Sequence, residues 1–244
     1  MKTLERHRRE WEHLAADDPL WAVLTAPGRR HGGWEPEEFF ATGEAEVAGV
    51  MATAAGLGLP REHGRALDFG CGAGRISRAL GSRFERVDGV DIAGGMIDTA
   101  RRLNADREHL HFHLNTTPDL RLFASDTFDC AYSSLTLQHL PGRGLALGYL
   151  AELVRVLRPG GLLAFQLPAR LAPIHRLQVT RRLYALARAL RVSEQTLLRR
   201  TPLTPMRMLA IPEDVVRSAL ERHGARVARV ETLGADGQRY FATR

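Results

Sequence analysis

Lysine is almost missing from this chain: Lys2 is the only one, and every other basic residue is arginine. With abundant alanine and glycine, that skew reads as the mark of a GC-rich genome, not of a surface selected for nucleic acid. Cysteine is nearly as scarce. Cys71 and Cys130 cannot build a disulfide framework or a zinc site by themselves, so both are expected to be buried reduced thiols, with no metal centre. No apolar run approaches the roughly 18 residues that a membrane span needs. Residues Met1 to Trp11 are charged where a signal peptide would be apolar, which predicts a cytoplasmic protein with no membrane partner. Repeats and low-complexity tracts are absent as well, which excludes a solenoid.

What is present is an ordinary globular composition: 244 residues, 44% hydrophobic and 25% charged, enough for one well-cored domain and an appendage. The net charge of +6 is unevenly spread. Between Arg170 and Arg207 nine arginines face a single acid, Glu194, so that one segment carries +8 while the remainder is slightly acidic.

Hydrophobic periodicity divides the chain into four segments, residues 1–60, 61–169, 170–211 and 212–244. The first reads as helices: Leu4, Trp11 and Leu14 share a face, Glu37 to Leu57 is helix-compatible, and the Gly/Pro-rich loop 26–33 separates the two. In the second, strands near Ala66–Phe69, Val87–Asp91, Leu110–His113, Phe128–Ser134 and Leu162–Leu167 alternate with helices near Arg75–Ser82, Gly95–Asn104 and Leu145–Leu157. That alternation predicts an α/β fold with a mainly parallel sheet covered on both faces. The last segment predicts a helix near Glu213–His223 and a closing hairpin from Arg226–Glu231 and Gln238–Thr243. Within 170–211, Leu183, Leu186, Ala187 and Leu190 form one face of an amphipathic helix, with Arg181 and Arg188 opposite. Its apolar face is expected on the core. A lid over a ligand site is the second reading, since the insertion leaves the carboxyl end of a strand, where open α/β sheets bind ligands.

The densest signal is Arg65-Ala-Leu-Asp-Phe-Gly-Cys-Gly-Ala-Gly-Arg-Ile-Ser77: a short strand ending at Asp68, then Gly70, Cys71, Gly72 and Gly74 in a tight turn that opens a helix. Glycines let a ligand approach the backbone, and a helix N-terminus adds free N–H donors. The next strand ends in Asp91, about the spacing at which an acid reaches ribose hydroxyls in a nucleotide-binding fold. The nicotinamide fingerprint G-x-G-x-x-G is not met, because Arg75 and Ser77 stand where its third glycine would fall.

Asp68-Phe-Gly-Cys-Gly-Ala-Gly74, Val90-Asp-Ile92, Phe128-Asp-Cys-Ala-Tyr-Ser133 and Leu157-Arg-Pro-Gly-Gly-Leu162 stand in the order and spacing of the class I S-adenosylmethionine-dependent methyltransferases, which the segment from Arg65 to Pro168 resembles. The resemblance implies a Rossmann-like seven-stranded sheet, mainly parallel with the last strand antiparallel, and S-adenosylmethionine as cofactor. It gives the glycine loop to the methionyl and ribose part of the cofactor, Asp68 to its ammonium, Asp91 to the ribose hydroxyls and Ile92 to the adenine, with Met96, Leu120 and Ser133 as further cofactor contacts. Asp119 would face the adenine amine, and Phe40 would close over the cofactor.

For the acceptor, Gln138 and His139 follow the fourth strand, near where the methyl group would sit. His139 suits a general base. His31, His175 and Arg176 are the other candidate acceptor contacts. Neither of the DNA-methylating signatures is present, and the basic insertion holds only Tyr184 as an aromatic, so no nucleic-acid partner is expected. The expected reaction is methylation of oxygen, nitrogen or carbon on a small molecule in bacterial secondary metabolism, by a monomer or homodimer. Inward-facing arginines of the insertion would make the acceptor anionic. Two other readings stay open: a protein that binds the cofactor without transferring methyl, and, more distantly, a nicotinamide-dependent oxidoreductase.

Overall fold

Seven strands run Arg65–Phe69 (β1), Arg86–Asp91 (β2), Leu110–Leu114 (β3), Phe128–Ser133 (β4), Leu157–Gln166 (β5), Arg226–Leu233 (β6) and Gly237–Thr243 (β7). In a computed structural model, which describes residues 2–172, 177–234 and 237–244, they form one sheet in the order β3-β2-β1-β4-β5-β7-β6. β1 to β5 pair in parallel, and β7 is antiparallel to both of its neighbours, β5 and β6. Every residue of β4 is buried, as expected of a central strand covered on both faces.

The helices are Lys2–Asp17 (α1), Pro19–Val23 (α2), Pro36–Gly56 (α3), Arg75–Gly81 (α4), Gly94–Leu103 (α5), Arg143–Val156 (α6), Val179–Ala189 (α7), Glu194–Arg200 (α8) and Glu213–Arg222 (α9). One face of the sheet packs on α6 and α9, with Leu150, Leu153, Val216 and Leu220 meeting Leu163 and Phe165. The other packs on α3, α4 and α5 through Val47, Val50, Ile76, Leu80 and Ile97. α3 crosses α4 closely: a Cβ at Gly43 would stand 2.4 Å from the Arg75 carbonyl oxygen, so only glycine fits there.

Two departures from the sequence reading have physical causes. β5 starts at Leu157, directly after α6, so Arg158-Pro-Gly-Gly161 lies inside the strand; the register against β4 shifts there, and Gly160 takes φ 80° while its N–H bonds the Arg244 carbonyl. The second departure concerns α7. Leu183, Leu186 and Leu190 point outward, while Tyr184 is buried against α1 and α8 together with Leu14, Leu197 and Leu198. The helix is amphipathic as expected, but the face it buries is the other one.

Candidate active site

The strand order reverses between β1 and β4, and a cavity of about 290 Å³ opens at their carboxyl ends. Its first half is made by strand ends: Gly70 and Gly72 after β1, Asp91 and Ile92 at β2, Asn115 after β3 and Ser134 after β4, with Met96 of α5 alongside. Gly70 has φ 77°, and a Cβ there would lie 2.2 Å from the Thr136 side chain. Asp91 shapes this half, its carboxylate accepting from the N–H groups of Gly72 (3.0 Å) and Ala93 (2.9 Å). Burial pushes the Asp91 pKa up, against those backbone hydrogen bonds. Each carboxylate oxygen keeps a second lone pair for a ligand hydroxyl.

Asp68 does not reach the cavity. It is buried under the loop and accepts from the Ser77 hydroxyl at 2.6 Å, with burial raising its pKa to about 7. It therefore braces the start of α4. Cys71 is buried beside it, and burial holds its thiol well above the usual range; Gly74 caps α4 at φ 85°. Ser133 donates to the Phe69 carbonyl, and its neighbour Ser134 takes the place on the wall.

Other expected contacts lie elsewhere. Asp119 turns to its own loop, held by the Thr117 hydroxyl (3.0 Å) and the Arg121 guanidinium (2.9 Å), while Asn115 lines the cavity. Leu120 is a core residue. Phe40 packs on Phe39 at the outer side of the loop, under the Arg78 guanidinium. His31 is exposed at φ 63° in the loop 26–33, away from the cavity. His175 and Arg176 lie outside the described residues.

The second half of the cavity comes from three remote segments. Leu135, at φ 56°, turns the chain out of β4 into the short 3-10 turn Leu137–His139, and the Thr136 hydroxyl reaches the Gly70 carbonyl at 3.2 Å. Gln138 and His139 line the wall. His139 Nδ1 donates to the Arg207 carbonyl at 2.6 Å, which fixes the tautomer and leaves Nε2 as the acceptor, with the Gln138 amide 3.3 Å away. Burial lowers the His139 pKa, so the ring is neutral at pH 7. Facing it from α1 are Trp11, whose ring meets His139 edge-on at 5.8 Å, and His7. His7 is 4% exposed, its Nδ1 has no partner among the described residues, and burial followed by the nearby Arg207 lowers its pKa to about 3. Met206 and Met208 complete the wall on a strap bonded to the 3-10 turn through Leu209 N–H and Gln138 O, 2.7 Å.

The sequence reading missed His7, Thr136, Asn115 and the two methionines. A signal existed for His7, which falls on the α1 face of Leu4, Trp11 and Leu14 at helical spacing. Of the insertion's arginines, Arg176 lies outside the described residues, and three of the others pair with acids outside the cavity. Arg207 pairs with Glu10 of α1 (3.1 Å), Arg188 with Glu194 (3.1 Å) and Arg199 with Asp17 (3.3 Å). Among the described residues, no arginine or lysine lines the cavity.

A polar network lies behind the site. Glu46 of α3 accepts from Tyr132 (2.6 Å), Ser134 (2.7 Å) and Arg75 (2.9 Å), and Arg239 of β7 stands 3.5 Å away. Burial raises the Glu46 pKa, but Arg75 and the two hydroxyls outweigh it and hold the carboxyl below the ordinary carboxylate range.

Comparison with known proteins agrees with this geometry. Residues 67–165 match the family described as "Methyltransferase domain". A malonyl-[acyl-carrier protein] O-methyltransferase of Serratia marcescens is 36% identical over 110 residues, which are 45% of this chain and 40% of that protein. A trans-aconitate 2-methyltransferase of Deinococcus radiodurans is 33% identical over 138 residues, 56% of this chain and 50% of that protein. The chain thus spans about half the length of the curated relatives it matches. Among solved structures, the magnesium protoporphyrin IX methyltransferase of Synechocystis PCC 6803 with bound S-adenosylhomocysteine shares the fold at TM-score 0.63 and 16% identity, covering 99% of both chains. A structure described as "DhpI-SAM-HEP complex" does so at TM-score 0.63 and 16% identity, over 100% of this chain and 99% of that one. Residues 67–165, with the glycine loop, Asp91 and β4 that frame the cavity, match the methyltransferase-domain family, and the chain as a whole shares the fold of these two solved structures.

Proposed function

We propose that this protein transfers a methyl group from S-adenosylmethionine to an oxygen or nitrogen atom of a small molecule that is uncharged at its reacting end. The observation that carries the reading is one continuous cavity with two chemically distinct halves. The half at Gly70, Gly72 and Asp91 suits the cofactor: a glycine cradle, a carboxylate with spare lone pairs for ribose hydroxyls, and apolar Ile92 and Met96 for a purine. When bound, the cofactor supplies an electrophilic methyl group on a sulfonium.

The other half supplies positioning and a proton acceptor. An acceptor hydroxyl or amine would take the place of the Gln138 amide at His139 Nε2, and the ring would receive its proton there while Nδ1–H stays on the Arg207 carbonyl. Trp11, Leu140, Met206 and Met208 would exclude water, so holding the partners in line does much of the work. The named relatives act on a malonyl-carrier protein and on trans-aconitate. The described wall offers no fixed cation to an acceptor of that kind, which favours a neutral one.

Calorimetry with S-adenosylhomocysteine, followed by transfer from methyl-labelled cofactor to trans-aconitate and to a panel of neutral phenols, alcohols and amines, tests this. Binding of the product cofactor with label appearing on a neutral acceptor is the expected result. Efficient methylation of trans-aconitate would overturn the acceptor assignment. Failure to bind S-adenosylhomocysteine would overturn the whole reading.

A further inference from the structure

On α7 the apolar side chains are turned to solvent. Val179, Leu183 and Leu186 on the helix and Leu190 at its C-terminal cap are 48, 47, 57 and 72% exposed, and Leu177 just before the helix is 55% exposed. At 100° per residue the four fall within an arc of about 60° on a helix about 16 Å long. The opposite pole is covered: Tyr184 is buried, and Arg181 keeps a buried Nε. Basic side chains border it. Arg182 stands beside the ridge on the helix and Arg191 just past the helix end; both are exposed and have no acidic partner among the described residues, nor has Arg200 on the adjoining α8, and α7 contains no acid. Scattered exposed leucines are ordinary, but a contiguous apolar ridge edged by one sign of charge marks an interaction surface.

We propose that α7 is an interfacial helix which seats this protein on an anionic phospholipid surface, with the leucine ridge at the acyl boundary and Arg182 and Arg191 at the level of the phosphates. The charge pattern selects this occupant. Two copies meeting ridge to ridge would set arginine against arginine with no acid on either helix to offset it. A folded protein partner is usually gripped by aromatic, arginine or methionine anchors around a pocket, and leucine is under-represented among such anchors. Here the outward pole is convex and purely aliphatic. Leucine on one face with arginine at its edges is the composition of helices that lie in the plane of a membrane interface. The seat also connects to the site: the Gln178 side chain at the start of α7 donates to the Met208 carbonyl at 3.1 Å, on the strap that lines the cavity. Lipid contact at α7 would therefore reach the acceptor half of the cavity directly.

Flotation of the full chain with vesicles tests the proposal, using equimolar phosphatidylglycerol and phosphatidylcholine against phosphatidylcholine alone, at low and high salt. The expected result is co-flotation with the anionic vesicles, weakened severalfold by salt, and an at least tenfold loss of binding in the Leu183→Glu/Leu186→Glu double variant. Both positions are exposed, so melting temperature and S-adenosylhomocysteine affinity should stay unchanged and certify the fold. Wild-type protein that does not float with anionic vesicles, or a double variant that floats as well as wild type, overturns the proposal. So does light scattering that finds a dimer dispersed by the double variant, which would give the ridge to a second copy. Binding of a purified acyl carrier protein without binding of vesicles would give it to an acidic protein.

Discussion

The two halves of the cavity are built from different materials. The half proposed for the cofactor is mostly main chain around one carboxylate: the glycine backbone, strand ends, and Asp91 bonded to Gly72 and Ala93, with Ile92 and Met96 alongside. The half proposed for the acceptor is almost all side chain, brought by α1, the 3-10 turn and a strap some 70 residues further along the chain. A backbone cradle changes little with sequence so long as its glycines remain. A wall of Trp11, His7, Met206 and Met208 can be rebuilt by single substitutions. One domain can thus keep its cofactor while its acceptor changes, and substitutions in the two halves should separate into two kinds of defect.

The sharpest separation is expected at His139. If Nε2 takes the acceptor's proton, His139→Gln should lower kcat about 10²–10⁴-fold while S-adenosylhomocysteine affinity stays within a factor of two. A loss below threefold would return His139 to a structural role. Nearly as large, but expressed as stability, is Glu46→Ala. It leaves Arg75 and Arg239 buried without their shared carboxylate, and breaking such a pair costs about 3–5 kcal/mol. Urea unfolding measures this directly, and a loss under about 1 kcal/mol would show that the network rearranges.

The contrast between the halves also explains what could be read in advance. Gly70, Gly72 and Asp91 lie on contiguous motifs at strand ends, so local spacing was enough to place them in one site. The parallel strands followed from alternation and the closing hairpin from its turn pattern, while the antiparallel direction of β7 was implied by the family resemblance. Side-chain direction was not available from spacing. Periodicity showed that α7 has two faces but not which would be covered, because that depended on Tyr184 meeting Leu14 and Leu197 from distant segments. Charge counting left the insertion's arginines open between an inward and a solvated face, because the acids that hold Arg207, Arg199 and Arg188 include Glu10 and Asp17 from the distant α1. His7 was hidden in plain view: a histidine on an apolar helix face carries no motif, and its place at the site depends on α1 lying over the 3-10 turn.

Asp91→Ala should raise the S-adenosylhomocysteine dissociation constant at least about tenfold in calorimetry, since a single charge-assisted hydrogen bond is worth roughly 1.5–3 kcal/mol. Unchanged affinity would remove the ribose assignment. His7 gives the acceptor half a pH signature. Its folded pKa of about 3 lies below the ordinary 6.5, so the unfolded chain binds the proton first as the pH falls. The stability from the neutral ring is complete above about pH 6.5 and is lost progressively toward pH 3. At pH 5 the loss is about 2 kcal/mol. His7→Phe should flatten that part of the stability profile, and a variant whose acid sensitivity matches wild type would place the titration elsewhere.

The smallest expected effect bears on the boundary of the cofactor half, where two residues compete for one role. Asp119 Oδ1 accepts from the Thr117 hydroxyl at 3.0 Å, and its other oxygen pairs with Arg121, whose side chain is 88% exposed. A pair that open to solvent contributes little. Asn115 lines the cavity, its side-chain carbonyl accepts from the Thr117 hydroxyl at 2.8 Å, and its amide donates to the Asp119 carbonyl at 2.8 Å, so the loop's course after β3 depends on it. Asp119→Asn should therefore leave S-adenosylhomocysteine affinity within threefold. Asn115→Ala, which removes the anchor of the loop and part of the cavity wall, should weaken that affinity by more. Calorimetry on the pair decides between them: a larger loss in Asp119→Asn would mean that the loop turns when ligand binds and brings Asp119 to the adenine, and the cofactor half would then be less rigid than its backbone hydrogen bonds imply.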